Sequence, residues 1–543
     1  MPLTSSASRP VRTGRTERGL IVLVGFMGAG KTTAGALLAE ELDLPFVDTD
    51  LVVQKRAGAT IPGIFSAGGE EAFRSLEREV VAEVLAGPRS VVALGGGAVT
   101  DRDTRADLVD ALVIYLDTTY GTILKRVDPE AGDRPMLTVE DPIDLFEDRH
   151  ALYQEVADLV IQTDLKEPKH VALEAAAAAS LFEDVHLTRV WTELDRRSYA
   201  TYVGAGLMST ADYFLPSLRD AELAYVITHP ALAQLAVPVA AALEARGLEV
   251  HLGAVPEGES SKSMAAASVL YDELAKAGAH RHDVVVGVGG GVVTDLAGFV
   301  ASTYHRGMRV IHVPTTLLGQ VDAAIGGKTG VNLEHGKNLV GTIHQPSVVL
   351  CDVGLLQSLP EAELRAGLAE VIKYGFVARP EMLDLVMGNV TAILDRDERV
   401  LSAVVARSAA IKSAVVAQDE RDAGVRAHLN YGHTFAHAIE ATHPQGIRHG
   451  EAVALGMMAA AHLACALGRV DERVVDLHRR VLDAVGLPTT AELELKTLEK
   501  AWRHDKKYKG GMRFVLLEGL GEPEAGVRAS KAVIATALER MRA

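Results

Sequence analysis

The stretch "GFMGAGKTT", residues 25–33, decides how the first part of this chain is read. It closes the apolar run "GLIVLVGF" (19–26) and fits the spacing G-x-x-x-x-G-K-[ST]. Between a strand and a helix, that spacing lets the backbone around Gly28 and Gly30 wrap phosphate oxygens with N–H groups. Lys31 would reach the β- and γ-phosphates, and Thr32, with Thr33 beside it, would offer a hydroxyl to Mg²⁺. The runs "SVVALGG" (90–96) and "ALVIYLD" (111–117) read as further buried strands separated by helical patterns. Together they predict a parallel sheet with helices on both faces.

Two glycine triplets invite comparison. "VVALGGGAVTD" (91–101) and "VVVGVGGGVVTD" (284–295) share a text, yet sliding the chain by that offset lays "GFMGAGKTT" on "RDAELAYVI" (219–227). The flanks do not match, so no whole unit is repeated. Each half is read separately.

Length and charge set limits. A chain of 543 residues exceeds one ordinary domain, and at 48% apolar each part can bury a core. A net charge of −17 argues against a nucleic-acid surface. Cys351 and Cys465 alone make neither a disulfide framework nor a cysteine metal site. No apolar run is expected to reach the roughly 18–20 residues of a membrane span. The start, "MPLTSSASRPVRTGRTERG", is basic but lacks an apolar core, so it reads as a disordered tail rather than a transit peptide. A soluble, cytoplasmic protein is expected.

The expected division is a tail over 1–18, an α/β unit over 19–182, a second α/β unit over 183–355, and a helical unit over 356–543. "KHVALEAAAAASLF" (169–182) closes the first unit as a helix, and "EDVHLTRVWTEL" (183–194) opens a new set of strands. After about residue 355 the pattern turns almost wholly helical.

The acceptor side of the first unit is read from its charged residues. "FVDTD" (46–50) places Asp48 and Asp50 two apart at a strand end, on one side. One could serve Mg²⁺ through water and the other a substrate hydroxyl. Arg74 lies on a helix in "EEAFRSLERE" (70–79), Arg134 precedes a proline in "DRPML" (133–137), and Arg149 sits in "DRHALYQEVADLVI" (148–161). Singly, each arginine reads as a solvated helix face. In this order, with the P-loop and the triple glycine, they resemble shikimate kinase over about residues 19–182. The resemblance implies that Asp50, Arg74, Gly96, Gly97 and Arg149 hold the shikimate hydroxyls and carboxylate. Asp50 would also orient or deprotonate the attacking hydroxyl, Asp48 would serve Mg²⁺, and Arg134 would close on the ATP phosphates. The stretch from Arg134 to Arg149 is short for a lid.

In the second half, Gly289-Gly290-Gly291 ends a strand and opens a helix, which suits a pyrophosphate although the spacing is not G-x-G-x-x-G. "GLAEVIKYG" (367–375) sets Glu370 and Lys373 on one helix face. "LNYGHTFAHAIE" (429–440) sets His433 and His437 four apart, and "HGEAVALGM" (449–457) begins with His449. One Glu and two His from separate helices make a three-ligand site with an open position, the pattern of catalytic zinc. The alternative is a set of buried or capping histidines. Lys328, Lys337 and Asn338 fall in a Gly-rich loop, "VDAAIGGKTGVNLEHGKNLVG" (321–341), and suggest a phosphorylated, acidic substrate.

These motifs, with "PEGESSKS" (256–263), "VPTTLLGQVDAAIGGKTGVN" and "DKK", closely resemble 3-dehydroquinate synthase over about 186–543. That resemblance implies an NAD-binding α/β domain joined to an all-α metal domain, with Glu370, His433 and His449 on zinc or cobalt. It places Glu257, Lys262, Gly291, Asp295, Thr315, Thr316, Lys328 and Lys337 along NAD. Substrate or its phosphate would meet Asp322, Lys328, Lys373, Lys412, Arg426, Asn430, His437 and Lys506, the last in preference to Lys507. His437 is the candidate for proton transfer near the phosphate or enolate. "VITHPAL" (226–232) departs where Asp or Asn is expected, and Ser358 stands where Thr is commoner. The whole implies a bifunctional enzyme, a P-loop kinase domain followed by a two-domain synthase, and a homodimer. It would phosphorylate shikimate with ATP and convert 3-deoxy-D-arabino-heptulosonate 7-phosphate to 3-dehydroquinate. The rivals are a related sugar-phosphate cyclase or polyol dehydrogenase, fused to a module that senses ATP without transferring phosphate.

Overall fold

The computed structural model describes residues 12–13, 19–126, 142–184, 187–443, 446–502 and 512–542. Packing divides the chain into two units. The smaller comprises Arg12–Arg189 with Ser209–Ala221; the larger takes in Val190–Met208 and the chain from Glu222 onward.

The smaller unit is built on five parallel strands in the order Phe46–Asp48, Val91–Ala93, Leu20–Val24, Ala111–Asp117, Leu159–Gln162. Leu20–Val24 and Ala111–Asp117 are buried along their whole length, as parallel strands covered on both faces must be. Strand order reverses around Leu20–Val24, so the turn after it, carrying Gly28 and Gly30, opens into the crevice at the carboxyl ends of the strands. Asp48 ends its strand as expected, but Asp50 does not continue it. Asp48 caps a helix, Thr49–Ala57, with its side chain accepting from the backbone of Asp50 and Leu51. Asp50 therefore reaches the crevice from a first helical turn, where a carboxylate is favoured by the helix dipole. Two residues assigned to the tail, Arg12–Thr13, pair antiparallel with Thr188–Arg189.

The larger unit contains six parallel strands in the order Tyr199–Gly204, Val348–Asp352, Arg309–Pro314, Val284–Gly289, Leu223–Thr228, Glu249–Ala254. The second glycine triplet sits where the sequence places it: Gly289 ends a strand, and Gly291 begins the helix Gly291–Thr303. The expected Gly-rich loop is instead a hairpin, Lys328–Leu333 against Gly336–Ile343, with a register shift between Val331 and Leu333. Glycines in that stretch serve close strand approach; a Cβ on Gly330 would stand 2.9 Å from Val340 O.

From Glu361 the fold is helical, with one hairpin, Phe514–Gly519 against Glu522–Val527. The helix Glu398–Gln418 is long and apolar enough to cross a membrane, against the expectation that no such run occurs, but 61% of that stretch is buried inside the fold. Its apolar length is that of a core helix. At the centre lies His449–Ala466, buried from Ala452 to Ala464. Only small residues permit this: a Cβ on Gly450 would overlap the backbone of Ala366, and one on Gly456 the carbonyl of Gly432.

Gly450→Ala is therefore expected to destabilise the larger unit by about 1–3 kcal/mol or more through overpacking. A denaturant titration of the full chain, followed by a probe in the helical region, checks it.

Candidate active sites

In the smaller unit, a cleft of about 670 Å³ is lined by the loop from Met27 to Thr33 together with Asp48, Asp50, Arg74, Gly96, Gly97 and Arg149. Gly30 holds φ at +97° with open space around it, so its need is for a left-handed backbone rather than for room. No side chain caps the helix Lys31–Glu41, which leaves its first N–H groups to the cleft. Lys31 Nζ donates to Gly25 O (2.7 Å) and Phe26 O (3.2 Å). Thr32 Oγ1 donates to Asp48 Oδ2 (2.7 Å), which joins the two expected Mg²⁺ groups.

The acceptor side is a set of charges held against glycine. A Cβ on Gly95 would approach Asp50 Oδ1 to 2.5 Å, and one on Gly97 would overlap the Arg74 guanidinium. Gly96 is less crowded, with ordinary contact at 3.6 Å; its carbonyl accepts from Tyr153 Oη at 2.5 Å. Arg74 pairs with Glu77 at 2.6 Å. Glu77 is 4% exposed, and burial raises its pKa although Arg74 opposes this. Arg149 is 4% exposed, its Nε has no hydrogen-bond partner among the described residues, and burial lowers its pKa. A buried, unsatisfied guanidinium donor beside this cleft is a site for a carboxylate. Arg134 lies outside the described residues.

In the larger unit, Glu370, His433 and His449 bring ligand atoms within 4.8 Å of one another. The Nε2 atoms of both histidines stand 3.5 Å from Glu370 Oε1. Glu370 is 1% exposed; its Oε2 is ion-paired with Lys373 Nζ, and its Oε1 has no hydrogen-bond partner among the described residues. Burial would raise its pKa, but the charge of Lys373 and the nearness of His433 hold it down to about 2. The other ring nitrogens are engaged: His433 Nδ1 lies 3.1 Å from Tyr431 O, and His449 Nδ1 lies 3.1 Å from Glu440 Oε1. Each Nε2 is thereby left for a metal, the usual outer arrangement of a histidine ligand. Burial and the Lys373 charge lower His433 to about 3. His449 rises to about 10 because two carboxylates overcome its burial. A divalent cation would supply the charge that this proton supplies.

Beside that centre, Asp322 Oδ1 accepts from Lys412 Nζ (2.7 Å) and from Tyr374 Oη (2.8 Å). Burial opposes ionisation of Asp322, yet Lys412 and Lys373 hold it well below the usual carboxylate range. Burial lowers Lys412 to about 8, against the pull of Asp322. Arg426, 2% exposed, donates to Glu420 O and Gly326 O, each at 2.8 Å. Asn430 Nδ2 donates to Ala427 O at 3.1 Å, and the His437 ring lies 5.6 Å from that of His433. Lys506 lies outside the described residues.

Along the expected NAD crevice, Lys262 pairs with Asp295, and burial raises the Asp295 pKa. Thr315 N donates to Gly289 O at 2.9 Å, and Thr316 Oγ1 accepts from Gly319 N at 3.1 Å. A Cβ on Gly290 would meet Thr316 at 3.0 Å, so the N-terminus of Gly291–Thr303 stays open to close approach. Glu257 is exposed. Lys328 and Lys337 stand on the hairpin, paired with Asp422 (2.7 Å) and Glu440 (3.5 Å).

Four site residues went unassigned in the sequence. Glu440 was visible there, since it follows His433 and His437 at helical spacing in "HTFAHAIE". Asp422 and Tyr374 carry no local signal because their partners are distant in the chain. Glu77 shares a helix face with Arg74 but reads as a surface ion pair.

Glu440→Gln removes the carboxylate that orients His449 while keeping the shape. Metal affinity should fall about 10- to 100-fold, read as metal content after dialysis against a weak chelator.

Comparison with known proteins gives the families of the two parts. The family models for 3-dehydroquinate synthase, N-terminal and C-terminal, match residues 252–366 and 367–508, and the model for shikimate kinase matches 27–180. A 3-dehydroquinate synthase from Saccharopolyspora erythraea is 47% identical over 327 residues, which is 60% of this chain and 87% of that protein. Among solved structures, 2-epi-5-epi-valiolone synthase from Streptomyces hygroscopicus, with NAD+ and Zn2+ bound, is 29% identical. The match covers 64% of this chain and 97% of that one, with a TM-score of 0.58. A 2-deoxy-scyllo-inosose synthase complexed with carbaglucose-6-phosphate, NAD+ and Co2+ is 25% identical, covering 65% and 99%, with a TM-score of 0.60. The chain belongs to the 3-dehydroquinate synthase family, whose models match it over 252–508, and ahead of that stretch it carries a shikimate kinase domain, matched over 27–180.

Proposed function

We propose that the chain transfers phosphate from ATP to shikimate in its smaller unit, giving shikimate 3-phosphate. In its larger unit it converts 3-deoxy-D-arabino-heptulosonate 7-phosphate to 3-dehydroquinate with release of phosphate. The carrying observation is a pair of buried atoms of opposite sign with no hydrogen-bond partner among the described residues: the Arg149 Nε donor in one cleft and Glu370 Oε1 in the other. The first calls for a substrate carboxylate and the second for a metal ion. The proposal includes a homodimer and a cytoplasmic setting, both carried by the family resemblance alone. It keeps residues 19–182, 183–355 and 356–543 as the functional parts.

In the kinase cleft, Arg149 and Arg74 neutralise the shikimate carboxylate, and Asp50 accepts a hydrogen bond from the attacking hydroxyl. Lys31 exchanges the carbonyls of Gly25 and Phe26 for phosphate oxygens. Thr32 and Asp48, already hydrogen-bonded, would hold Mg²⁺, which would supply charge against the phosphate oxygens. Phosphoryl transfer asks mainly for such positioning and charge. Arg134 closes on the phosphates.

In the synthase cleft, Glu370, His433 and His449 hold the metal, and the glycine triplet with Lys262, Thr315 and Thr316 holds NAD. When bound, the metal supplies Lewis acidity toward substrate hydroxyls and NAD supplies a hydride acceptor that is restored within the cycle. Lys412, Arg426, Lys328 and Asn430 bind the phosphate that departs, and Lys373 and Asp322 orient the ring hydroxyls. His437, one turn from a metal ligand, holds a proton beside the phosphate or the enolate.

The first test is ADP release by the full chain with MgATP, with and without shikimate. Shikimate-dependent turnover should fall roughly 10²–10³-fold or more in Lys31→Ala. Slow hydrolysis indifferent to shikimate would make the unit an ATP sensor instead. For the larger unit, phosphate should leave 3-deoxy-D-arabino-heptulosonate 7-phosphate with no net NADH; accumulating NADH would indicate a dehydrogenase.

A pH test follows from Lys412. Its ammonium is charged below about 8 and neutral above, so affinity for a phosphate dianion is present below that pH and lost above it. KM for the phosphorylated substrate should therefore rise as pH passes about 8, and Lys412→Arg should move that rise upward.

A further inference from the structure

The smaller unit is not closed by the stretch that matches shikimate kinase, residues 27–180. It also contains Arg189 and the segment Ser209–Ala221, and both bear on one helix, Pro142–Val156, which presents Arg149 and Tyr153. At the carboxyl end of that helix, the buried Arg189 donates to Glu155 O at 2.7 Å and to Gln154 O at 3.3 Å. A guanidinium there satisfies carbonyls that the helix leaves unpaired and complements its dipole.

Arg219 acts along the side of the same helix. Its side chain is 13% exposed, too little for a solvated surface arginine. Nη2 donates to Glu147 Oε1 at 2.9 Å, and Nη1 lies 3.2 Å from His150 Nδ1. The guanidinium carbon stands 4.4 Å from the centroid of the Phe146 ring. Nη1 is also 3.6 Å from Asp117 Oδ1, at the end of the strand Ala111–Asp117. Asp117 Oδ1 in turn accepts from Tyr115 Oη at 2.9 Å, and that hydroxyl lies 2.8 Å from His150 Nδ1. One guanidinium thus joins three consecutive contact positions of the helix to the sheet beneath it.

From there a continuous path of contacts reaches the candidate substrate arginine. The Phe146 ring meets Phe26 edge-on, with centroids 5.1 Å apart. Phe26 follows the central strand into the P-loop, and the Arg149 guanidinium stands 5.8 Å above the same ring. A shift of the helix on loss of Arg219 would move Arg149 relative to the P-loop, with little change at the phosphate-binding backbone itself.

We propose that Arg219 is a positioning residue of the kinase, supplied from beyond the kinase stretch, and that it fixes the helix so that Arg149 meets the acceptor's carboxylate. This rests on the reading that the smaller unit phosphorylates shikimate.

The test uses the full chain as Arg219→Ala and Arg219→Lys. KM for shikimate should rise roughly tenfold in the alanine variant, with KM for ATP and synthase turnover of the same preparation unchanged. The lysine variant keeps the charge toward Asp117 and Glu147 but loses the planar fork, so it should recover only part of the loss. Amide hydrogen exchange should quicken in 142–156 of the alanine variant and not in the helix Lys31–Glu41. An unaltered shikimate KM, or unaltered exchange in 142–156, would overturn the proposal, as would a matching loss for ATP and for synthase turnover. If the wild-type chain shows no shikimate-dependent turnover while exchange still quickens, the substrate reading falls and the holding role of Arg219 stands.

Discussion

A carboxylate buried to 1% exposure, one oxygen of which has no hydrogen-bond partner among the described residues, is the constraint around which the helical part of this protein is arranged. Left alone, such a charge costs several kcal/mol. Lys373, one turn on, is ion-paired with Oε2, which leaves Oε1 facing the Nε2 atoms of His433 and His449. The three side chains can converge only if their helices approach closely, and the small residues follow from that. Gly450 lets its helix lie on the backbone of Ala366, and Gly432, with φ at +77°, lies against Met457. The convergence of Glu370, His433 and His449 and the tight helical packing have one origin.

The two glycine triplets use one backbone device for opposite purposes. At 95–97, the missing Cβ atoms leave room for charged side chains, Asp50 and Arg74, to stand against the main chain. At 289–291, the neighbours are Val293, Thr316 and Ala323, so the space goes to helix–strand packing and to an approachable helix N-terminus. The two triplets differ in the chemistry of those neighbours, charged side chains in one case and Val293, Thr316 and Ala323 in the other.

This explains what could be read from the chain and what could not. The P-loop, the motifs that carry Glu370, His433 and His449, and the change to a helical texture are local patterns, legible because backbone geometry and side-chain spacing fix them within a few residues. Asp50 was misplaced onto a strand because period two and a helical first turn both project residues 48 and 50 toward one crevice. The hairpin over 328–343 read as a loop because its glycines serve strand contact rather than turns. Asp422 meets Lys328 across 94 positions, and Tyr374 meets Asp322 across 52; no window of sequence contains both members of either pair.

The boundary of the kinase unit fails to follow its motifs for the same reason. A motif marks where chemistry is done, whereas a packing unit ends where its surface is covered. In Ser209–Ala221, the side chains of Ala211, Leu215 and Leu218 are buried to 1% exposure or less, and Phe214 to 6%. That amphipathic stretch brings a charged tip, Arg219, among Asp117, Glu147 and His150. The smaller unit is here completed by a segment that lies beyond the stretch matching shikimate kinase. The joined polypeptide therefore contributes to the first enzyme through residues that neither set of motifs contains.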